Sequence, residues 1–195
     1  MMKNYHKIVI GYHGCDQSTH DKIVSSVEQF RSSENDYDWL GHGVYFWQDD
    51  PLRAEEFAKE QVKRGRYKSA AIVGAVIDLG NCLNLHTRLA AKKLELSYGL
   101  VKDAIELSGE PMPENKWNDK GGFPILRKLD CAVIETMHKN RKSEEEYDSV
   151  LGIFQEDEPV YVGAGFRKKT HIQICVRKTE RILGVFIPNR QHLED

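Results

Sequence analysis

The sequence predicts a single α+β domain on a largely antiparallel or mixed sheet, and three observations carry that expectation. Helix-spaced runs are intercalated with strand-like runs early in the chain, strand-like runs group in the last third, and Thr170 to Val176 alternates strictly. A chain of 195 residues suits one domain, because single cores commonly run to roughly 100–200 residues. Hydrophobic residues at 40% and charged residues at 30% supply both a core and a solvated surface, which argues against wholesale disorder.

Lys7 to Tyr12 is β-branched and apolar and predicts a first strand that ends in a loop over Gly11 to Gly14. Ser18 to Asp21 reads as a helix start, with Ile23, Val24, Val27 and Phe30 at helical spacing after it. Ser32 to Asp38 is polar and loop-like, and Gly41 and Gly43 permit a turn into a strand at Val44 to Trp47. Asp50 is a good N-cap and Pro51 a good first helical residue; Ala54, Phe57, Ala58 and Val62 then form one apolar face. Ala70 to Leu79, the most apolar segment, predicts a buried central strand closed by Gly80 and Asn81.

Thr87 to Leu107 predicts a helix with Leu94, Val101 and Ile105 on one face, broken around Gly99 and stopped by Gly109 and Pro111. Glu110 to Phe123 reads as a loop, and Asp130 to Met137 fits either a strand or a short helix. Ser149 to Phe154 predicts a strand, and Gln155 to Lys169 a loop containing Pro159, Gly163 and Gly165. In the alternating strand Thr170 to Val176, Ile172, Ile174 and Val176 share one face and His171, Gln173 and Cys175 the other. A final strand, Ile182 to Ile187, stops at Pro188.

Composition excludes several classes. With 28 Lys plus Arg against 30 Asp plus Glu, the net charge of -2 gives no blanket attraction to nucleic acid, so an anionic partner must be met by a local patch. No stretch approaches the roughly 18 apolar residues of a membrane span, and no signal segment opens the chain. Cys15, Cys82, Cys131 and Cys175 form no C-x-x-C pair, so reduced thiols in a cytoplasmic protein are the plain expectation, without a metal site. Phosphate-loop, H-E-x-x-H and G-x-S-x-G motifs are missing, and Cys15 with His13 as base makes an implausible nucleophile pair. The densest positive cluster is Lys59, Lys63, Arg64, Arg66 and Lys68, ordinarily an exposed helix end favoured by the dipole; a nucleic-acid contact is the other reading.

Three positions are candidates for chemistry, each with an ordinary structural alternative. His13-Gly14 is either a hydrogen-bonded loop pair or a place where a ligand reaches the glycine backbone while the imidazole meets a hydroxyl. Tyr45, in Gly41-His42-Gly43-Val44-Tyr45-Phe46, is either a core aromatic or a stacking platform with a free hydroxyl. Gln173 faces either solvent or a cleft.

In order, His13-Gly14, the Gly41–Phe46 segment, the strand ending Asp78-Leu79-Gly80-Asn81 and the strand holding Gln173 resemble an ADP-ribosyltransferase, in the branch of diphtheria toxin and the poly(ADP-ribose) polymerases. The likeness runs from about Tyr12 to Phe186. It implies an ADP-ribosyltransferase-like split β-sandwich: two packed sheets around an NAD cleft with flanking helices. It further implies NAD as co-substrate, Gly14 on the nicotinamide carboxamide, His13 on the adenosine-side ribose, Tyr45 stacked on the nicotinamide ring, and Gly43 beside the cofactor. The acceptor would be RNA or protein. Small members of this group are often toxins or phage-defence effectors, for which a neutralising antitoxin is a further expected partner.

The sequence departs from that pattern where the family carries a glutamate, since Gln173 keeps the hydrogen bonds and loses the charge. Three outcomes follow: single ADP-ribose transfer positioned by Gln173, a carboxylate supplied by Glu156 or Glu158, or NAD binding without chemistry. Polymer synthesis is disfavoured. Cys15 also replaces the hydroxyl residue that relatives often carry.

Overall fold

The computed structural model describes residues 7–117, 124–140 and 146–189. The first strand, β1 (Ile8–Asp16), runs straight through Gly11 to Gly14 instead of ending there, because it pairs residue for residue with a later strand from Ile8↔Asp78 to Asp16↔Ala70. The glycines answer a packing demand. A Cβ on Gly11 would lie 2.7 Å from Ile77 Cδ1, and one on Gly14 would lie 2.3 Å from the Ala54 carbonyl oxygen.

Helix α1 (Gln17–Val24) is shorter than the apolar spacing predicts. Asp16 caps it through Ser18 N–H, and Ser26 at φ 59° turns the chain out, leaving Val27 exposed and returning Phe30 against the His13 and Phe46 rings. Strand β2 (Val44–Gln48) follows, then α2 (Pro51–Lys63), which starts as read: the Asp50 carboxylate accepts from Arg53 N–H at 2.9 Å and Pro51 occupies the first turn. The apolar run becomes β3 (Ala70–Asp78), flanked on its other edge by the last strand of the described residues.

Strand β4 (Cys82–Asn84) leads to α3 (Arg88–Ser108), which continues unbroken through Gly99 and ends at Gly109 in the left-handed conformation. No atom lies near the space a Gly99 side chain would fill, so this glycine costs only its helix propensity, about 1 kcal/mol relative to alanine. The expected loop after it contains β5 (Asn115–Trp117), paired with β6 (Pro124–Arg127); positions 118–123 of that loop lie outside the described residues. The ambiguous segment is helix α4 (Lys128–Lys139), with Cys131, Ile134 and His138 buried at helical spacing. Its N-terminus is capped from β5, where Asn115 Oδ1 accepts from Leu129 and Asp130 N–H.

Strands β7 (Ser149–Pro159) and β8 (Arg167–Val176) form a long hairpin, so most of the expected loop 155–169 is strand. Strand β9 (Ile182–Phe186), the last strand among the described residues, follows a 3-10 turn at Thr179–Arg181. The order is β4-β7-β8-β2-β1-β3-β9, antiparallel except for β4 with β7. The described residues form a mixed α+β structure with one large sheet and four α-helices.

The expectation of two packed sheets is corrected in one respect: hydrogen bonding makes the halves continuous, and among the described residues the second sheet is only the β5–β6 ribbon. The junction is narrow. Strands β1 and β2 pair only at Gly11↔Gln48 and Tyr12↔Trp47 before they part. Val9, Phe46, Ile77, Leu151 and Ile174 pack a core across this junction and hold the halves together.

Loss of the α2 cap is expected to cost about 1 kcal/mol in Asp50→Ala, measured by urea denaturation. An unchanged midpoint would show that α2 is held by packing alone.

Candidate functional site

Where β1 and β2 part, a cleft of about 1350 Å³ opens, above the roughly 300–1,000 Å³ of common small-ligand pockets. All five residues singled out from the sequence, His13, Gly14, Gly43, Tyr45 and Gln173, line it. The β5–β6 ribbon contributes Ile125 and Leu126, and the β7–β8 hairpin contributes Glu156 and Lys169.

His13 bridges the parting strands, with Nδ1 2.8 Å from the Tyr45 carbonyl oxygen. A carbonyl only accepts, so Nδ1 carries the proton and Nε2 is left as an acceptor. Burial lowers the pKa of His13 against the opposing pull of that carbonyl, which favours the neutral ring at neutral pH.

Gly14 has two duties. Its missing Cβ admits α2, as the Ala54 contact shows, which corrects the expectation that the space is there for a ligand. Its backbone serves the cleft: the Ile10 carbonyl accepts from Asp49 N–H on the β2 side, and alternate residues of a strand direct their polar groups to the same edge. Gly14 N–H and C=O therefore face the edge that β2 has left beyond Tyr12↔Trp47.

Tyr45 also differs from its sequence reading. Its hydroxyl is not free: it donates to the Gly41 carbonyl at 2.6 Å and accepts from Leu40 N–H at 2.8 Å, so only the ring serves the cleft. Burial pushes the phenol well above its ordinary pKa. Gly43 lines the cleft, but its N–H and C=O are both engaged by Ser33, so it shapes the wall without offering backbone groups.

The turn beneath Tyr45 is fixed from below. Glu135 on α4 accepts from His42 N–H at 2.8 Å and from Arg177 at 2.6 and 3.2 Å, and Arg177 also donates to the His42 carbonyl. Burial opposes the Glu135 charge, but the Arg177 and His42 hydrogen bonds outweigh it and hold the carboxyl below its usual range. Gly41, at φ 76°, accepts a conformation other residues resist, and a Cβ there would lie 2.5 Å from Glu135 Oε1.

Gln173 on β8 sits opposite Trp47 and Gly152, is 9% exposed, and its carboxamide bonds to no described residue. Cleft, not solvent, is thus its surroundings. Both alternative carboxylates line the cleft, but Glu158 is exposed and paired with Lys168, whereas Glu156 is buried on β7. Arg53 donates to Glu156 at 3.0 Å and stacks over the Trp47 ring at 5.6 Å, so that charge is already balanced. Three donors on the cleft-lining residues, Trp47 Nε1, Arg53 Nε and Arg53 Nη1, are buried without a hydrogen-bond partner.

Cys15 packs in the Ile23–Val73 cluster and does not line the cleft, and its thiol is pushed up to about 12 chiefly by burial, which disfavours the thiolate. Sequence reading missed Trp47, Arg53 and Phe57 as cleft residues. Phe57 was legible only as a helix-face apolar position; the Arg53–Glu156 pair spans 103 residues and has no local signal. Among the described residues no cluster is arranged to hold a metal ion, and no helix is long and apolar enough to cross a membrane. Compared with models of known protein families and with curated proteins, the chain matches none.

Tyr45→Phe is expected to lose about 1–3 kcal/mol of stability in urea melts, because it strands the Leu40 N–H that the hydroxyl now satisfies. Glu135 supplies a pH-dependent component. Its folded pKa is depressed, so the stability it confers is present above roughly pH 4.3 and fades as pH falls through the folded value. Glu135→Ala should cost about 3 kcal/mol at pH 7 and flatten that acid limb; a parallel limb would contradict the assignment.

Proposed function

We propose that this chain is an NAD-consuming mono-ADP-ribosyltransferase with an ADP-ribosyltransferase-like fold. It would release nicotinamide and pass one ADP-ribose to a macromolecular acceptor, RNA or protein. The observation that carries the reading is the convergence of His13, Gly14, Tyr45 and Gln173 on one cleft at the parted edges of β1 and β2. Membership of a toxin or defence system, with a neutralising antitoxin, remains part of the same proposal.

In this reading the nicotinamide ring lies on the Tyr45 face, whose edge is fixed by Gly41 and Leu40. Its carboxamide meets Gly14 N–H and C=O, and His13 Nε2 accepts a ribose hydroxyl. The glycosidic bond then breaks with its electron pair moving to the pyridinium nitrogen, which leaves neutral nicotinamide and an oxocarbenium-like ribose. The acceptor nucleophile adds to that carbon and gives up its proton, with water as the competing nucleophile. The Gln173 amide oxygen orients a ribose hydroxyl without adding charge.

A second reading, an NAD- or ADP-ribose-binding pseudoenzyme, is favoured by one observation. Neither replacement for the missing carboxylate is well placed: Glu156 is neutralised by Arg53 and Glu158 is exposed. Incubation with NAD labelled on its adenylate portion separates the two. A transferase yields free nicotinamide and labelled macromolecule, Tyr45→Ala lowers turnover about 100-fold, and Gln173→Glu raises it by a similar order. A native chain that binds NAD yet releases no nicotinamide is the pseudoenzyme.

A further inference from the structure

We infer that the rim of the cleft at the C-terminal end of α2 is a binding surface for single-stranded nucleic acid. On the transferase reading above, it makes that strand the acceptor. Over positions 59–68 the chain carries Lys59, Lys63, Arg64, Arg66 and Lys68 against the single carboxylate Glu60, although the whole molecule is slightly acidic. Lys59 is paired with Glu55 at 2.9 Å, and Arg64 reaches Glu60 only at 3.8 Å. Lys63, Arg66 and Lys68 are exposed and ion-pair with no described residue; Arg66 touches only the neutral Gln61 side chain, at 3.3 Å.

The helix dipole does not account for this group. Only Lys63 lies in the last turn of α2, whereas Arg66 and Lys68 come after Gly65, outside the helix. Their segment is held in place from below: the Asp16 carboxylate accepts from Lys68 N–H at 2.6 Å and Ser69 N–H at 3.2 Å. A preformed row of cations loses little entropy on meeting a row of phosphates.

Position relative to the cleft selects the ligand. Arg64, Arg66 and Tyr67 line it, and Arg167, bonded to the Asp157 backbone carbonyl but to no carboxylate, faces it from the β7–β8 hairpin. Tyr67 thus offers an aromatic face between cations at the cleft wall, the pairing that holds unpaired bases and their backbone. A base inside a duplex has no free face for such a ring, so the strand is single. An acidic protein would match the charge and leave Tyr67 without a function.

Anisotropy of the full chain with fluorescein-labelled uridylate and thymidylate dodecamers tests this, with polyglutamate as competitor and NAD binding measured separately. Either dodecamer should bind without displacement by polyglutamate. With three phosphate contacts, affinity should fall roughly twenty-fold between 50 and 200 mM salt. Lys63→Ala, Arg66→Ala and Lys68→Ala combined should weaken binding at least about tenfold and flatten the salt dependence with the thermal midpoint unchanged, and Lys63→Ala with Lys68→Ala, neither of which lines the cleft, should weaken it with NAD affinity unchanged. Tyr67→Ala should weaken it about tenfold. Displacement by polyglutamate, unchanged binding by the triple variant, or a parallel loss of NAD affinity in the double variant overturns the inference; the last would assign these cations to the dinucleotide. Oligonucleotide binding without NAD binding would leave the surface standing and remove the transferase reading. NAD cleavage without oligonucleotide binding would do the reverse.

Discussion

Strands β1 and β2 share two ladder pairs, Gly11↔Gln48 and Tyr12↔Trp47, and then diverge, and the candidate site exists because of that divergence. A strand edge left by its neighbour carries N–H and C=O groups that must find other partners. Here one crossing bond, from His13 Nδ1 to the Tyr45 carbonyl, spans the gap and sets both side chains at its mouth. Beyond it the Gly14 edge faces a cavity. The core that includes Phe46 and Ile77 packs residues from both halves together beside the opening.

The second determinant lies under the cleft. Glu135, Arg177 and the His42 backbone form one network joining α4, the end of β8 and the turn before β2. That turn holds the Tyr45 hydroxyl from both sides, through Gly41 and Leu40. A ring fixed at its hydroxyl end loses little freedom when it stacks on a ligand, which is the condition for an aromatic platform. The polar groups of the opposite wall, Arg53, Glu156 and Gln173, come from α2, β7 and β8.

Local signals in the sequence were sufficient wherever the cause is local. Asp50-Pro51 starts α2 and the Val/Ile run forms β3 because capping and strand propensity act within a few residues. They failed where the cause is distant. Gly11 and Gly14 read as a loop because nothing nearby shows that Phe46, Ile77 and Ala54 press on them. Helix α4 stayed ambiguous because Asn115, on another element, caps it. Pro159 and two glycines suggested a loop over 155–169, whereas cross-strand pairing carries both strands past Glu156↔Lys169 to a bulge before Pro159. Of the site, His13, Gly14, Gly43, Tyr45 and Gln173 were legible from motif order, but the engaged Tyr45 hydroxyl and the Ser33-bound Gly43 backbone were not. The positive cluster was legible as well, but not that Lys63, Arg66 and Lys68 in it would be left exposed and without ion pairs to described residues.

A crystal structure of the chain with a non-hydrolysable carbocyclic NAD analogue tests the central claim most directly. The account predicts the nicotinamide ring on the face of Tyr45, its carboxamide bonded to Gly14 N–H and C=O, and a ribose hydroxyl on His13 Nε2. A dinucleotide bound elsewhere, or a cleft in which β2 closes against Gly14 when the analogue is present at saturation, would contradict it.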